Sequence, residues 1–192
     1  MTPEQSKLLN ALGLIAIDTV LVLAFVDQLW FRELPCPLCI LSRAGFIAAG
    51  FGIALNLLFG PRPSHYGLTL LGASIGAAIS IRQILIHIVP DTGSYGSPIL
   101  GLHLYTWALM FFSLMVVGTG IMLFFERQFA TEKKMQETSL LSVIALATFF
   151  GLAAGNVIST LSICGVGLCP DNPSGYLIFN DNLSITLLGH SS

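Results

Sequence analysis

Apolar residues run along this chain in five long blocks, at 8–31, 40–59, 67–89, 103–125 and 139–163, separated by short polar or glycine- and proline-bearing connections. Each block is near or above the roughly 20 residues that a helix needs to cross about 30 Å of hydrocarbon. The pattern predicts an all-α integral membrane protein with five spans. The first block exceeds the roughly 7 to 15 apolar residues of a secretory leader, and no small-x-small cleavage site follows it, so it is expected to stay as an uncleaved first span.

Composition agrees with that solvent. With 54% hydrophobic and 9% charged residues, and a mean hydropathy of +0.83, the chain has too little polar surface to cover a soluble domain. The formal net charge is -2, and no basic cluster is large enough to bind nucleic acid. The few cations set the orientation, because short loops rich in Lys and Arg are retained in the cytoplasm. With the N-terminus cytoplasmic, Lys7, Arg62, Arg127, Lys133 and Lys134 lie inside, and Arg32 is the clear extramembrane cation outside. Five crossings then put the C-terminus, and all four cysteines, on the outer side.

An even number of cysteines on the outer face implies an oxidising compartment, in a bacterium the periplasm. The pairs are Cys36-x-x-Cys39 and Cys164-x4-Cys169. As structural staples they would close small loops and contribute only about 2 kcal/mol by the loop-length relation. The first pair also has surroundings that act on sulfur. Pro37 suits the first position of a helix. That places Cys36 near the N-cap and Cys39 in the first turn, where the helix dipole favours a thiolate. Arg43, four residues beyond Cys39, shares its helix face.

A second cation, Arg82, is expected at similar depth on the third span, with His87 about one turn nearer the outer surface. His103, Tyr105 and Trp107 open the fourth span. Two arginines beside a dithiol suit an amphipathic electron acceptor such as a quinone, whose carbonyls accept hydrogen bonds and whose developing charge a fixed cation stabilises. His87 and His103 are each also compatible with ordinary interfacial residues, and Tyr105 and Trp107 with an aromatic belt.

The run Pro35-Cys36-Pro37-Leu38-Cys39-Ile40 with Arg43, the Arg82-Gln83 pair, and Gly101-Leu102-His103-Leu104-Tyr105-Thr106-Trp107-Ala108 resemble the disulfide bond formation protein B (DsbB) family over roughly residues 20 to 125. The resemblance implies a four-helix membrane bundle, here with a fifth transmembrane helix added. It also implies an inner-membrane oxidoreductase that reoxidises a DsbA-like periplasmic thioredoxin-fold oxidase and passes two electrons to ubiquinone or menaquinone. In that family pattern Cys39 contacts the quinone, Cys36 exchanges with the second cysteine pair, and Arg43 supports the quinone.

One departure stands out. The family's second pair lies between the third and fourth spans, but here the connection from Pro90 to Leu102 has no cysteine. The fifth span carries Cys164 and Cys169 outward instead, so the chain divides into a bundle, 1–163, and an outer redox tail, 164–192. Gly165 and Gly167 let the spacer curl enough for the Cα separation of about 4.4 to 6.8 Å that a disulfide requires. After a turn at Pro170-Asp171-Asn172-Pro173, apolar stretches at 176–179 and 183–188 are too short to span.

The remaining features are scaffold or open. Gly72 with Gly76, and Gly151 with Gly155, permit close helix approach within the chain or between copies. Asp18 lies near mid-membrane and reads equally as a proton-handling group or a neutral, hydrogen-bonded carboxyl. Glu132, Lys133, Lys134 and Glu137 form a solvated inner loop. Two rivals to the redox reading are a metal-binding membrane protein with four thiolates at a tetrahedral site, and a non-catalytic assembly protein with stapled outer loops. Mass spectrometry of free thiols combined with metal analysis separates the first: the redox reading expects disulfide and no stoichiometric metal, and four metal-bound thiolates would overturn it.

Overall fold

The computed structural model describes residues 2–30, 34–88, 100–129, 139–165, 167, 169, 175 and 176. Five α-helices follow in chain order: α1 (Pro3–Trp30), α2 (Pro37–Phe59), α3 (Pro63–His87), α4 (Leu104–Leu123) and α5 (Leu140–Cys164), with a short 3-10 helix at Glu126–Phe129 between the last two. All five are long and apolar enough to cross a membrane. The protein is therefore an all-α, multi-pass membrane protein. Arg32, the inner-loop residues Glu132, Lys133, Lys134 and Glu137, most of the connection after Pro90, the Pro170–Pro173 turn and the apolar tail stretches beyond Tyr176 lie outside the described residues.

The helix starts follow local chemistry. Prolines enter α2 and α3 at their first turns, where a missing N–H costs nothing. Ser139 caps α5 by accepting from the Ser142 amide. α1 begins before its apolar block because Pro3–Lys7, though polar, continues the same helix.

The helices pack in the sequence α5–α1–α2–α3–α4, with α5 also reaching α2. α1 and α4 thus stand on either side of a cleft along α2 and α3. Small residues set the closest approaches. A Cβ on Gly72 would fall on the Ala49 backbone of α2, one on Gly45 would lie 2.9 Å from the Gly76 Cα, and one on Gly76 would enter the Phe112 ring of α4. Phe112 stacks on Phe46 with centroids 4.0 Å apart. The Gly72/Gly76 stripe is therefore used inside the chain. Gly155 meets Phe25 of α1, while Gly151 faces open space.

Apolar side chains cover the outer surface as well as filling the core, as the apolar solvent demands. Large apolar side chains such as Leu71, Leu114, Ile121 and Ile158 face outward, while Ser6, Asn10, Gln28, Asn56, Gln83 and Gln128 are buried. At one end, Ser6 donates to Gln128 Oε1 at 2.7 Å, Asn10 Nδ2 to the Tyr66 hydroxyl at 2.9 Å, and Asn56 Nδ2 to Asn10 Oδ1 at 3.1 Å. Gln128 closes the network by donating to the Met122 carbonyl. These bonds tie α1, α2, α3 and the 3-10 helix together. Asp18, in mid-α1, is buried, and its Oδ1 makes no hydrogen bond among the described residues.

The stripe gives a signed stability prediction. In an open helical site, Gly→Ala stabilises by roughly 0.5–1 kcal/mol, whereas forcing a methyl into a packed contact costs about 1–3 kcal/mol. Thermal unfolding in detergent should therefore show Gly72→Ala lowering the melting temperature and Gly118→Ala, with nothing near its Cβ, holding or raising it. Equal responses would refute the close α2–α3 contact.

Candidate redox site

The connection from α1 to α2 ends in a helix start built on sulfur. Cys36 is the N-cap of α2, with Pro37 following, and its Sγ accepts the Cys39 amide at 3.1 Å. Cys36 is 4% exposed and Cys39 is half-buried; both are free thiols. A side-chain hydrogen bond shared with Cys39, together with burial, pushes the Cys36 thiol up from its ordinary range.

α3 reaches the pair through Gln83. Its Nε2 lies 3.4 Å from Cys36 Sγ and 3.3 Å from Cys39 Sγ, so one amide donor spans both sulfurs. Gln83 is buried, whereas the preceding residue, Arg82, is exposed and is not among the residues lining the cavity at the dithiol. Of the two arginines expected beneath the pair, the structure brings Arg43 to the cavity wall and does not bring Arg82 there. Depth alone did not distinguish the two neighbours, and the step of about 100° from one helical residue to the next turns one inward and the other out.

The cavity has a volume of about 610 Å³ and fills the cleft between α1 and α4. Cys36, Cys39, Arg43 and Gln83 form its polar wall, Asp27 stands at its α1 side, and Tyr105 and Trp107 close it from α4. Arg43 is held by α1: Nη1 donates to Gln28 Oε1 at 2.7 Å and Nη2 to the Ala24 carbonyl at 2.8 Å. Its guanidinium carbon lies 5.7 Å from the Phe25 ring centroid. At the mouth, Leu100 has a left-handed φ of 52°, followed by Gly101 at 79°.

His87 is at the same end but behind Tyr105. Its Nδ1 is 2.8 Å from the Gln83 carbonyl, which makes that nitrogen the protonated one, and its ring stacks on Tyr105 at 5.5 Å. His103 stacks on Tyr105 at 5.2 Å, and its buried Nδ1 has no hydrogen-bond partner among the described residues. His87 is not among the described lining residues and reaches the cavity through Tyr105. Tyr105 and Trp107, readable as belt residues, are cavity walls. Asp27 and Gln28 carry no sequence signal, because a polar residue near a span's end has no distinctive spacing, and Gln83 stands out along the chain only as the neighbour of Arg82.

Cys164 and Cys169 form a disulfide with a Cα–Cα distance of 4.4 Å, within the range expected for the Gly-bearing spacer. A bonded pair has no thiolates to offer a four-sulfur metal site. It sits at the end of α5, and α5 meets α1 near the cavity: Gln28 Nε2 donates to Ser159 Oγ at 2.8 Å.

Fold and site together define a multi-pass membrane protein with a dithiol centre set in a helix-lined cavity. The family model described as Disulfide bond formation protein DsbB matches residues 6–95. Disulfide bond formation protein B of Xanthomonas euvesicatoria pv. vesicatoria is 33% identical over 116 residues, covering 57% of this chain and 67% of that relative. The protein of the same name from Marinobacter nauticus is 32% identical over 126 residues, covering 46% of this chain and 75% of its own. No solved structure matches. The chain belongs to the disulfide bond formation protein B family. The residues matched by the family model include Cys36, Cys39, Arg43 and Gln83; α5 and the tail disulfide lie beyond them.

Burial and the raised Cys36 thiol order the two sulfurs. Iodoacetamide applied to the reduced protein at pH 7 should modify Cys39 at least about tenfold faster than Cys36, because the thiolate is the reacting form. Peptide mass spectrometry over time reads the ratio, and equal rates would contradict this geometry.

Proposed function

We propose that this protein is a thiol:quinone oxidoreductase of the bacterial inner membrane, with its dithiol end facing the periplasm. It reoxidises a DsbA-like thioredoxin-fold oxidase and passes the electrons to ubiquinone or menaquinone. The observation that carries this reading is the single cavity where Cys39, Arg43 and Gln83 meet between α1 and α4. Its volume and apolar walls suit an amphipathic ring, and Arg43 and Gln83 offer donors to carbonyl oxygens. The cation bias of the loops supports the orientation.

The chemistry is a sequence of two-electron exchanges. A thiolate of the reduced partner attacks the Cys164–Cys169 disulfide, forming a mixed disulfide and freeing one tail thiolate. The partner's second thiolate resolves it, so the partner leaves oxidised and the tail is left as a dithiol. A tail thiolate then attacks Cys36 of an oxidised Cys36–Cys39 pair, and resolution restores the tail disulfide and leaves Cys36 and Cys39 as the dithiol. Quinone supplies the final acceptor of two electrons and two protons. In that last transfer Cys39, the less buried of the two lining sulfurs, is the one that meets the quinone, Arg43 opposes the negative charge that develops, and Gln83 keeps both sulfurs oriented. Cys36 closes the disulfide on Cys39. His87 acts through Tyr105, and Arg82 lies outside this centre. Residues 1–163 thus serve as the electron-accepting bundle and 164–192 as the redox tail that takes the place of the loop pair.

Purified protein supplied with reduced partner oxidase should reduce a soluble quinone, and Cys36→Ser or Cys39→Ser should lower turnover by at least about a hundredfold. Normal turnover in either variant would sink the reading. For the tail, Cys164→Ser and Cys169→Ser should differ in the mixed disulfides they trap with periplasmic thiol proteins; identical trapping in wild type and both variants would remove the tail from the relay.

A further inference from the structure

The hydrogen bonds that hold Arg43 continue past it. Gln28 lies near the end of α1 and is 3% exposed. Its amide has one oxygen and two N–H donors, and the structure uses both ends. Oε1 accepts from Arg43 at 2.7 Å, while Nε2 donates to Ser159 Oγ of α5 at 2.8 Å and to the Tyr176 hydroxyl of the tail at 3.1 Å. The arrangement allows one amide orientation. Flipping Gln28 would set an NH2 against the guanidinium, donor to donor. Arg43, which can only donate, therefore fixes which end of the amide faces it, and the two hydroxyls accept from Nε2 and hold the amide in that orientation.

The identity of residue 28 matters as much as its place. Arg43 donates here to two neutral oxygens, Gln28 Oε1 and the Ala24 carbonyl. Asp27 is within electrostatic reach on the cavity side. A neutral acceptor orients a cation without cancelling its charge, and a carboxylate at the same distance would form a close ion pair. The helix and tail that supply Ser159 and Tyr176 lie beyond the segment matched by the family model.

We infer that Gln28, oriented by Ser159 and Tyr176, is the positioning residue for Arg43, so that α5 and the tail complete the cation side of the redox cavity. The inference rests on that cavity being the redox site, and it gives the fifth helix a task at the dithiol besides carrying the tail cysteines.

The test uses the full chain with Cys36→Ser, which keeps a capping side chain and leaves Cys39 as the free thiol of the pair, and follows Cys39 alkylation at pH 7 without quinone or partner. Weakening the cation beside the sulfur lowers its thiolate fraction, so Gln28→Glu should slow alkylation by about tenfold, and Tyr176→Phe with Ser159→Ala by about threefold. Gln28→Met, which keeps length but loses both hydrogen-bonding ends, should fall between wild type and Gln28→Glu. With Arg43→Gln, or Arg43→Met if that variant is not recovered folded, the same changes should alter the rate by less than about 1.5-fold, because effects relayed through one residue do not add. Equal slowing with and without Arg43, or no slowing by the Tyr176→Phe/Ser159→Ala pair, would overturn the inference. Failure of the protein to reduce any quinone would instead overturn the proposed function, since alkylation requires no quinone.

Discussion

A guanidinium set among membrane helices must find acceptors within reach, and the architecture of the dithiol end follows from how Arg43 finds them. Placing an arginine at a span's centre costs about 2.5–3.5 kcal/mol on insertion scales, less toward the interface. α2 alone cannot meet that demand, because its own carbonyls are committed to the helix. α1 supplies a side-chain oxygen from Gln28 and the carbonyl of Ala24. Satisfying Arg43 therefore fixes α1 against α2, and Gln28 passes the constraint to α5 and Tyr176. With α1 committed to that side, α4 reaches the bundle through α3, and a cleft is left open between α1 and α4.

The opposite end is pinned by a different device. Ser6, Asn10, Asn56, Tyr66 and Gln128 form a neutral network buried among α1, α2, α3 and the 3-10 helix. Lipid offers these groups no partners, so their satisfaction has to be mutual. Between the two polar ends the helices meet through glycine, alanine and phenylalanine, where Gly72 and Gly76 bring backbones close and Phe46 and Phe112 fill the space that remains. The bundle is thus tied at both ends and close-packed in the middle, a rigid frame for two sulfurs that share one donor from Gln83.

Much of this was legible along the chain. Hydropathy marked all five helices, with boundaries shifted by a few residues where polar turns continue the helix. Pro37 marked the start of α2, and with it the capping position of Cys36 and the shared face of Cys39 and Arg43. The Gly-bearing spacer marked a pair able to close, and Cys164–Cys169 is closed. The inward residue of the Arg82-Gln83 pair was not legible, because both sit at one depth and only the neighbouring helices decide which side is interior. Tyr105 and Trp107 read as belt residues for a related reason: an aromatic at a helix end faces lipid headgroups or a cavity according to where the next helix stands. Gln28 carried no signal, since its hydrogen-bond partners Arg43 and Ser159 lie 15 and 131 positions away.

The sequence by itself determined what depends on local chemistry and on solvent: the number of spans, the helix starts, the capping sulfur of Cys36, and the arginine one turn beyond Cys39. Period, proline and polarity act over a few residues and survive without knowledge of neighbours. Tertiary structure decided the rest, namely that Gln83 and not Arg82 meets the sulfurs, that α1 and α4 leave a cavity between them, and that α5 and Tyr176 stand behind Arg43. Those outcomes depend on how each helix is rotated about its axis. In a bundle whose outer surface and core are both apolar, that rotation is set by a few buried hydrogen bonds and small-residue contacts between distant parts of the chain.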